Sequence, residues 1–271
     1  MFGRLVLSFR KRVDKKLRRK EERYEIEQLM KEKRSEEYEA LEEVFDRSTL
    51  MTVYDFLNKG VIDQIFGSVK AGKESKLYWG KDKEGTALAI KIFLTISAEF
   101  KRGMIPYIEG DPRFKHVKRD TRSLVFAWAR KEFRNLMQAV EAGVRVPKPV
   151  DVSHNVLIME FIGAEGESAP LLRETEIKNP SRVYNQVLGN VRKLYRKAKL
   201  VHGDLSEYNI MLWKNQPVLF DVSQAVPLEH PMADQLLRRD LDNLTRYFKR
   251  LGVEVLSQEE AYKKVTGSGA G

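Results

Sequence analysis

Apolar residues recur at helical spacing over Leu50, Val53, Tyr54 and Leu57, with Ser48 or Asp46 placed to cap the start and Gly60 placed to end it in a left-handed turn. Short runs rich in β-formers follow at 61–66, 76–80 and 86–94, separated by Gly- and Lys-rich turns such as 81–85, the pattern of an antiparallel meander. Segment 98–121 carries Gly103, Pro106, Gly110 and Pro112 among mixed charges and keeps neither a helical nor a strand period, which predicts a long mobile loop. The helical period returns over 123–142 and stops at Gly143, and strand pattern resumes over 150–161. Past Pro180, helical segments alternate with a short irregular core, and 267–271 reads as a frayed tail. At the other end, 10–43 is dense in Lys, Arg and Glu with few apolar positions, which predicts a solvated helix laced by Glu–Lys pairs. Acids interleave throughout that stretch except at 10–20, where a single Asp stands among many cations.

These elements predict an α+β chain: a charged helical extension over 1–58, a first lobe of antiparallel sheet and helix over 59–158 with the 98–121 loop inside it, a reduced and mainly helical second lobe over 159–266, and the tail. A length of 271 residues with 42% hydrophobic content suits two small lobes sharing a cleft. The formal charge of +10 favours polyanionic surroundings such as nucleotide or RNA without naming one. Without cysteine there is no disulfide, thiolate metal site or cysteine nucleophile, which fits a reducing compartment, and the cytoplasm is the default expectation. The start runs from a short apolar stretch straight into Arg10, Lys11 and Arg12, unlike a signal peptide, and no run reaches membrane-spanning length.

The strongest chemical signal is His202-Gly203-Asp204-Leu205-Ser206-Glu207-Tyr208-Asn209, followed by Asp221 after the apolar run 217–220. Phosphoryl transfer needs a carboxylate to orient the nucleophile's proton, then an amide oxygen and a second carboxylate to hold the metals that bridge the phosphates. Asp204, Asn209 and Asp221 meet those needs in that order, against the plain alternative of a capped turn with solvated acids. Lys91 lies inside the apolar run Ala89-Ile90-Lys91-Ile92-Phe93, where an unpaired ammonium would be costly to bury. Glu132 is its expected partner, because Val125, Trp128, Glu132 and Leu136 share one helical face while Arg130, Lys131 and Arg134 face elsewhere. The turn at 67–75, with Gly72, Lys73, Glu74 and Ser75, offers backbone donors for phosphates, although an ordinary hairpin turn fits it equally and Glu74 stands where a magnesium-binding hydroxyl would be wanted. Apolar 157–163 ends at Gly163 as a strand-to-linker junction would, so that backbone groups of Glu160 and Ile162 are placed to pair with adenine; a plain core strand has the same composition.

With these parts in kinase order, "GKES", "HGDLSEYNI" and "DVSQAV" resemble the RIO family of atypical serine protein kinases, in particular its first, short-tailed, archaeal-type subfamily. The resemblance covers most of the chain from about Phe45 to Phe248, and the stretch 229–243 also resembles that subfamily. It implies a two-lobed protein-kinase-like fold, with Asp204 as catalytic base, Asn209 and Asp221 as metal ligands, and Lys91 with Ser75 on the phosphates. It further implies ATP with Mg2+, or Mn2+, as cofactors and ATP hydrolysis through an aspartyl-phosphate at Asp221. Serine autophosphorylation within 98–121 or at Ser123 is implied too, as is a role in maturation of the small ribosomal subunit, whose precursor, rRNA and proteins together, would be the partner.

Departures from ordinary protein kinases put peptide recognition in question. Gly203 replaces the arginine that reads a phosphorylated activation loop, Val222 and Ser223 replace Phe-Gly, and no Ala-Pro-Glu element follows. Two other functions share parts of the pattern. A small-molecule phosphotransferase of the aminoglycoside or choline type also carries His-Gly-Asp, but would want a larger helical acceptor region after Asp221. A ribosome-assembly scaffold that binds ATP as a switch would have no need of Asp204.

Overall fold

The first lobe is organised by strand β3 (Ala87–Phe93), whose residues beyond Ala87 are all buried. It lies at the middle of a five-stranded sheet of order β1-β2-β3-β5-β4, formed with β1 (Gln64–Ala71), β2 (Ser75–Lys81), β4 (Pro149–Ser153) and β5 (Val156–Glu160). Every pairing in the sheet is antiparallel, and the register sets Lys91 between Leu77 and Leu157. Helix α1 (Arg47–Asn58) precedes the sheet; Gly60 beyond it adopts φ 71°, as its placement in the sequence requires. This is a computed structural model describing residues 45–72, 74–94 and 98–267. The expected extension over 10–43, Lys73 and the tail beyond Gly267 lie outside the described residues.

Segment 98–121 departs from its sequence expectation. Instead of an open loop it forms helix α2 (Ala98–Ile108), with Pro106 inside, and a 3-10 turn at Pro112–Phe114 capped by the Asp111 carboxylate. Gly103 and Pro106 lower intrinsic helix propensity, but Met104 is buried in the main core, and Tyr107 and Ile108 pack partly against it. Tertiary burial of that apolar edge, at about 1.5–3 kcal/mol for each fully buried side chain, outweighs the local preference.

Helix α3 (Thr121–Glu141) starts at Asp120, whose carboxylate accepts from Ser123 N at 2.9 Å. Its buried face includes Val125, Trp128, Ala129, Leu136 and Ala139 and packs onto the sheet through β4 and β5. After β5 the chain crosses to the second lobe through a small hairpin, β6 (Gly163–Ala164) and β7 (Glu167–Ser168). The second lobe comprises helices α4 (Pro180–Arg196), α5 (Ala233–Arg250) and α6 (Gln258–Thr266), two-residue strands β8 (Leu200–Val201) and β11 (Val226–Pro227), and the hairpin of β9 (Ile210–Trp213) and β10 (Gln216–Leu219). Both lobes share one hydrophobic core within the compact unit Ser48–Gly271. Among the described residues no helix is long and apolar enough to cross a membrane.

Candidate active site

Between the lobes lies a cleft of about 420 Å³ whose lining includes Gly72, Glu74, Ser75, Lys91, Glu132, Glu160, Ile162 and Asp221. A larger hollow of about 730 Å³ lies beside α2 and the start of α3, but it is walled largely by apolar side chains and lies away from the acid cluster. The cleft floor is a three-way contact. Lys91 Nζ donates to both Glu132 oxygens, at 2.9 and 2.8 Å, and to Asp221 Oδ1 at 2.9 Å. Lys91 is 8% exposed and the Glu132 side chain 1%, while the Asp221 carboxylate is 44% exposed. The strand and helix periods therefore bring lysine and glutamate together as their spacing implied.

Desolvation would lower the Lys91 pKa, but the Asp221 and Glu132 carboxylates outweigh it and the ammonium is held above its usual range. Burial pushes Glu132 up to about 7 against the pull of Lys91. Desolvation in the cleft works to raise Asp221 as well, but Lys91 and the Ser223 hydroxyl, which donates to Asp221 Oδ1 at 3.0 Å, hold it below the ordinary carboxylate value. Asp221 is thus an anion at neutral pH, in a left-handed backbone conformation of φ 57°, ψ 57°.

The second group is the turn 202–209. Asn209 Nδ2 donates to Asp204 O at 2.7 Å and to Asp204 Oδ2 at 2.9 Å, closing the turn. The β9–β10 hairpin, in register Leu219↔Ile210, returns the chain so that Phe220 N donates to Asn209 O at 3.1 Å, and Asp221 arrives beside the turn. His202 bonds through Nε2 to Phe220 O at 3.1 Å, and burial depresses its pKa to about 4, so it is a neutral strut. Asp204 and Asn209 stand outside the cleft lining, but Asp204 feels the cluster: burial, and then the charge of Asp221, raises its pKa against the opposing Asn209 bond and Arg239.

The turn expected over 67–75 is shorter: 67–71 belong to β1 and Ser75 to β2, and the hairpin is closed by Gly72 N donating to Ser75 O at 2.9 Å. Glu74 is raised by burial and then by Asp221, with Asp204 adding to it, so its carboxylate is part of the same anionic field. Lys73 is outside the described residues. At the lobe junction the Glu160 side chain is engaged by Arg145 in a two-pronged ion pair at 2.9 Å, and Ile162 O accepts from Ala169 N at 2.8 Å. Of the Glu160 and Ile162 backbone groups expected to meet adenine, the Ile162 carbonyl is thus engaged, as is Glu160 N, which donates to Lys148 O at 2.7 Å.

Two contributors escaped the sequence reading. Asp240 on α5 is buried, and its oxygens accept from Gly203 N and Leu205 N at 2.8 Å each, holding both sides of Asp204. Leu236, Asp240 and Leu244 recur at helical spacing, so the signal that singled out Glu132, a carboxylate within an apolar stripe, was present here as well. Lys131, expected to face away with Arg130 and Arg134, is instead buried on the turn after Asp221, because that turn covers a flank of α3 that the period alone leaves open; Arg130 and Arg134 are exposed.

Among the described residues no three acids or histidines form a ready cation cage. The oxygen-bearing side chains gathered here, the Asp204 and Asp221 carboxylates and the Asn209 amide, are of the hard kind that suits a cation which keeps waters and takes its other oxygens from phosphates, as Mg2+ does. An ion-paired lysine beneath a hairpin, an Asp–Asn turn and an acid just past a strand, arranged across two lobes, define a phosphotransferase of the protein-kinase-like class.

Comparison with known proteins narrows the class. The RIO domain family model matches residues 76–261. The serine/threonine-protein kinase Rio1 of Haloferax volcanii is 39% identical over 254 residues, covering 94% of this chain and 86% of that protein. Rio1 of Methanocaldococcus jannaschii is 38% identical over 246 residues, covering 90% and 83%. Among solved structures, the Rio2 kinase–ADP/Mg2+–phosphoaspartate complex of Chaetomium thermophilum shares the fold, with a TM-score of 0.61 at 23% identity over 82% of this chain and 67% of that one. The chain belongs to the RIO domain family of atypical serine/threonine protein kinases.

Proposed function

We propose that the chain moves the γ-phosphoryl group of ATP by way of Asp221, and that Lys91, Asn209 and Asp204 serve that transfer. The observation that carries this reading is the Lys91 ammonium shared between Glu132 and Asp221 on the cleft floor. On arrival of the nucleotide, Lys91 turns part of its bonding to phosphate oxygens while Glu132 keeps it in place. Gly72 and Ser75 cover the phosphates, and adenine lies against Ile162 and Glu160, met by the Ile162 N–H. Asn209 and Asp221 hold Mg2+, for which Mn2+ can substitute, and the cation supplies neutralisation of phosphate charge.

In the hydrolytic branch an Asp221 carboxylate oxygen attacks the γ-phosphorus, the bond to the bridging oxygen breaks and ADP leaves. Water then attacks the acyl phosphate, Asp204 accepts its proton, and inorganic phosphate departs with the carboxylate restored. That a Rio2 kinase has been solved as an ADP/Mg2+–phosphoaspartate complex supports the aspartyl phosphate in this scheme. With a serine hydroxyl as acceptor, Asp204 takes the same proton; segment 98–121 itself holds no serine, so Ser123 is the autophosphorylation target. The biological setting we infer is maturation of the small ribosomal subunit in the cytoplasm, the cationic stretch 10–20 contacting rRNA; binding to subunit particles then weakens with salt and with neutralisation of that stretch.

The test is incubation with γ-labelled ATP and Mg2+, followed by hydroxylamine, which releases label from an acyl phosphate and leaves phosphoserine intact. Wild type is expected to release phosphate and carry hydroxylamine-labile label, with Asp221→Ala and Asp204→Ala silent in turnover. Label that resists hydroxylamine and persists in Asp221→Ala would overturn the aspartyl route.

A further inference from the structure

Helix α3 carries Glu132 toward Lys91, and neighbouring buried polar side chains of the same helix reach the turn that follows Asp221. Lys131 is 2% exposed; its ammonium donates to Ser223 O at 2.7 Å and lies 4.5 Å from the centre of the Trp128 ring. One helical turn on, Asn135 Nδ2 donates to Val222 O at 2.8 Å and to Ala225 O at 3.2 Å. Arg113, from the 3-10 turn, reaches Ala225 O at 3.4 Å and Asn135 Oδ1 at 2.6 Å, and is itself gripped by Asp111. Donors from two separate segments thus take the carbonyls of Val222, Ser223 and Ala225.

The Asp221 backbone explains why that turn needs holding. A left-handed conformation is unfavourable for a residue with a Cβ, although less so for aspartate than for most, and contacts that hold the following turn favour it. Lys131 is a costly choice for a buried position: burial, with Arg113 close by, pushes its pKa well below the usual lysine value. An apolar side chain of the same length would fill the space at less cost, so what the amino group adds is its directed bond to Ser223 O.

We propose that Lys131, Asn135 and Arg113 are positioning residues that clamp the Val222–Ala225 turn and so aim the Asp221 carboxylate at the nucleotide's divalent cation. Helix α3 then sets both partners of the cleft floor, Lys91 through Glu132 and Asp221 through the clamp. The inference rests on the reading of Asp221 as a metal ligand.

The experiment measures Mn2+ uptake with ADP by loss of the free-ion paramagnetic signal, together with metal-free ADP binding by calorimetry and thermal melting. Lys131→Met and Asn135→Leu are expected to bind metal-free ADP within about twofold of wild type while Mn2+ affinity falls about tenfold or more, the size seen when groups that orient a metal ligand are removed. Lys131→Arg, which keeps a donor, is expected to recover most of the affinity. Should Lys131→Met fail to fold, Asn135→Asp keeps the acceptor for Arg113 but sets an oxygen against Val222 O, and carries the same expected loss. Unchanged Mn2+ affinity in folded variants, beside a wild type that binds, overturns the clamp. A wild type that binds ADP but takes up no Mn2+ with it overturns instead the metal role of Asp221, and the clamp's purpose with it.

Discussion

Asp240 holds the turn that presents Asp204. Its carboxylate, on a residue 1% exposed, accepts from Gly203 N and Leu205 N at 2.8 Å each, while Arg239 donates to Gly203 O and Asn243 to Leu205 O at 3.1 Å. Asp240→Leu keeps the branched shape, though with bulkier methyl groups, and strands both N–H groups out of water, at about 1–3 kcal/mol each, or about 2–6 kcal/mol together. Part of this is offset, since burial already pushes the Asp240 carboxyl up to about 7 and leucine removes that penalty. The net expectation is a loss of about 2 kcal/mol or more, which for a unit of this size lowers the melting temperature by about 4 °C or more. Asp240→Asn retains one acceptor and should lose about half as much. Because Asp204 sits between the two orphaned groups, turnover should fall by about tenfold or more with the KM for ATP little changed, as the Lys91 side of the cleft is untouched. Thermal melting and steady-state phosphate release on both variants measure this. An Asp240→Leu protein that melts within about a degree of wild type and turns over normally would refute the assignment.

Glu132→Gln leaves Lys91 with only Asp221 for charge balance, and removing one member of a buried ionic contact is expected to cost about 3 kcal/mol in a urea titration and to weaken ATP binding; a denaturation midpoint equal to wild type would count against the pair. His202 is neutral in the fold, with a pKa depressed from 6.5 to about 4, so between those values the unfolded chain binds the extra proton and stability drops as pH falls. Compared with His202→Gln, which keeps a donor for Phe220 O and does not titrate, wild type should lose about 3 kcal/mol over that interval and nothing above about pH 7; parallel stability curves would sink the assignment.

Much of the site could be read along the chain because its chemistry is local. Asp204 and Asn209 belong to one turn, and Asp221 comes back to it through a hairpin whose strands have only a short connection to span. Lys91 and Glu132, though 41 positions apart, each contradicted the apolar pattern of its own element, and a buried charge demands a partner wherever the chain provides one. Asp240 broke the pattern of α5 in the same way, but its partners are backbone N–H groups, which carry no side-chain signature.

What depended on the tertiary structure was decided by faces and neighbours that no period encodes. Helix α2 forms despite Gly103 and Pro106 because the core receives Met104, and no local count of propensities contains that surface. Lys131 stands one position before Glu132, yet it is buried against a different partner, since the Val222–Ala225 turn folds over that flank of α3. The chemical identity of the site is therefore a property of residue order, because phosphoryl transfer needs particular side chains at particular spacings. Its aim is a property of packing, because the carbonyls of the turn after the left-handed Asp221 are held in direction only where that turn packs against α3.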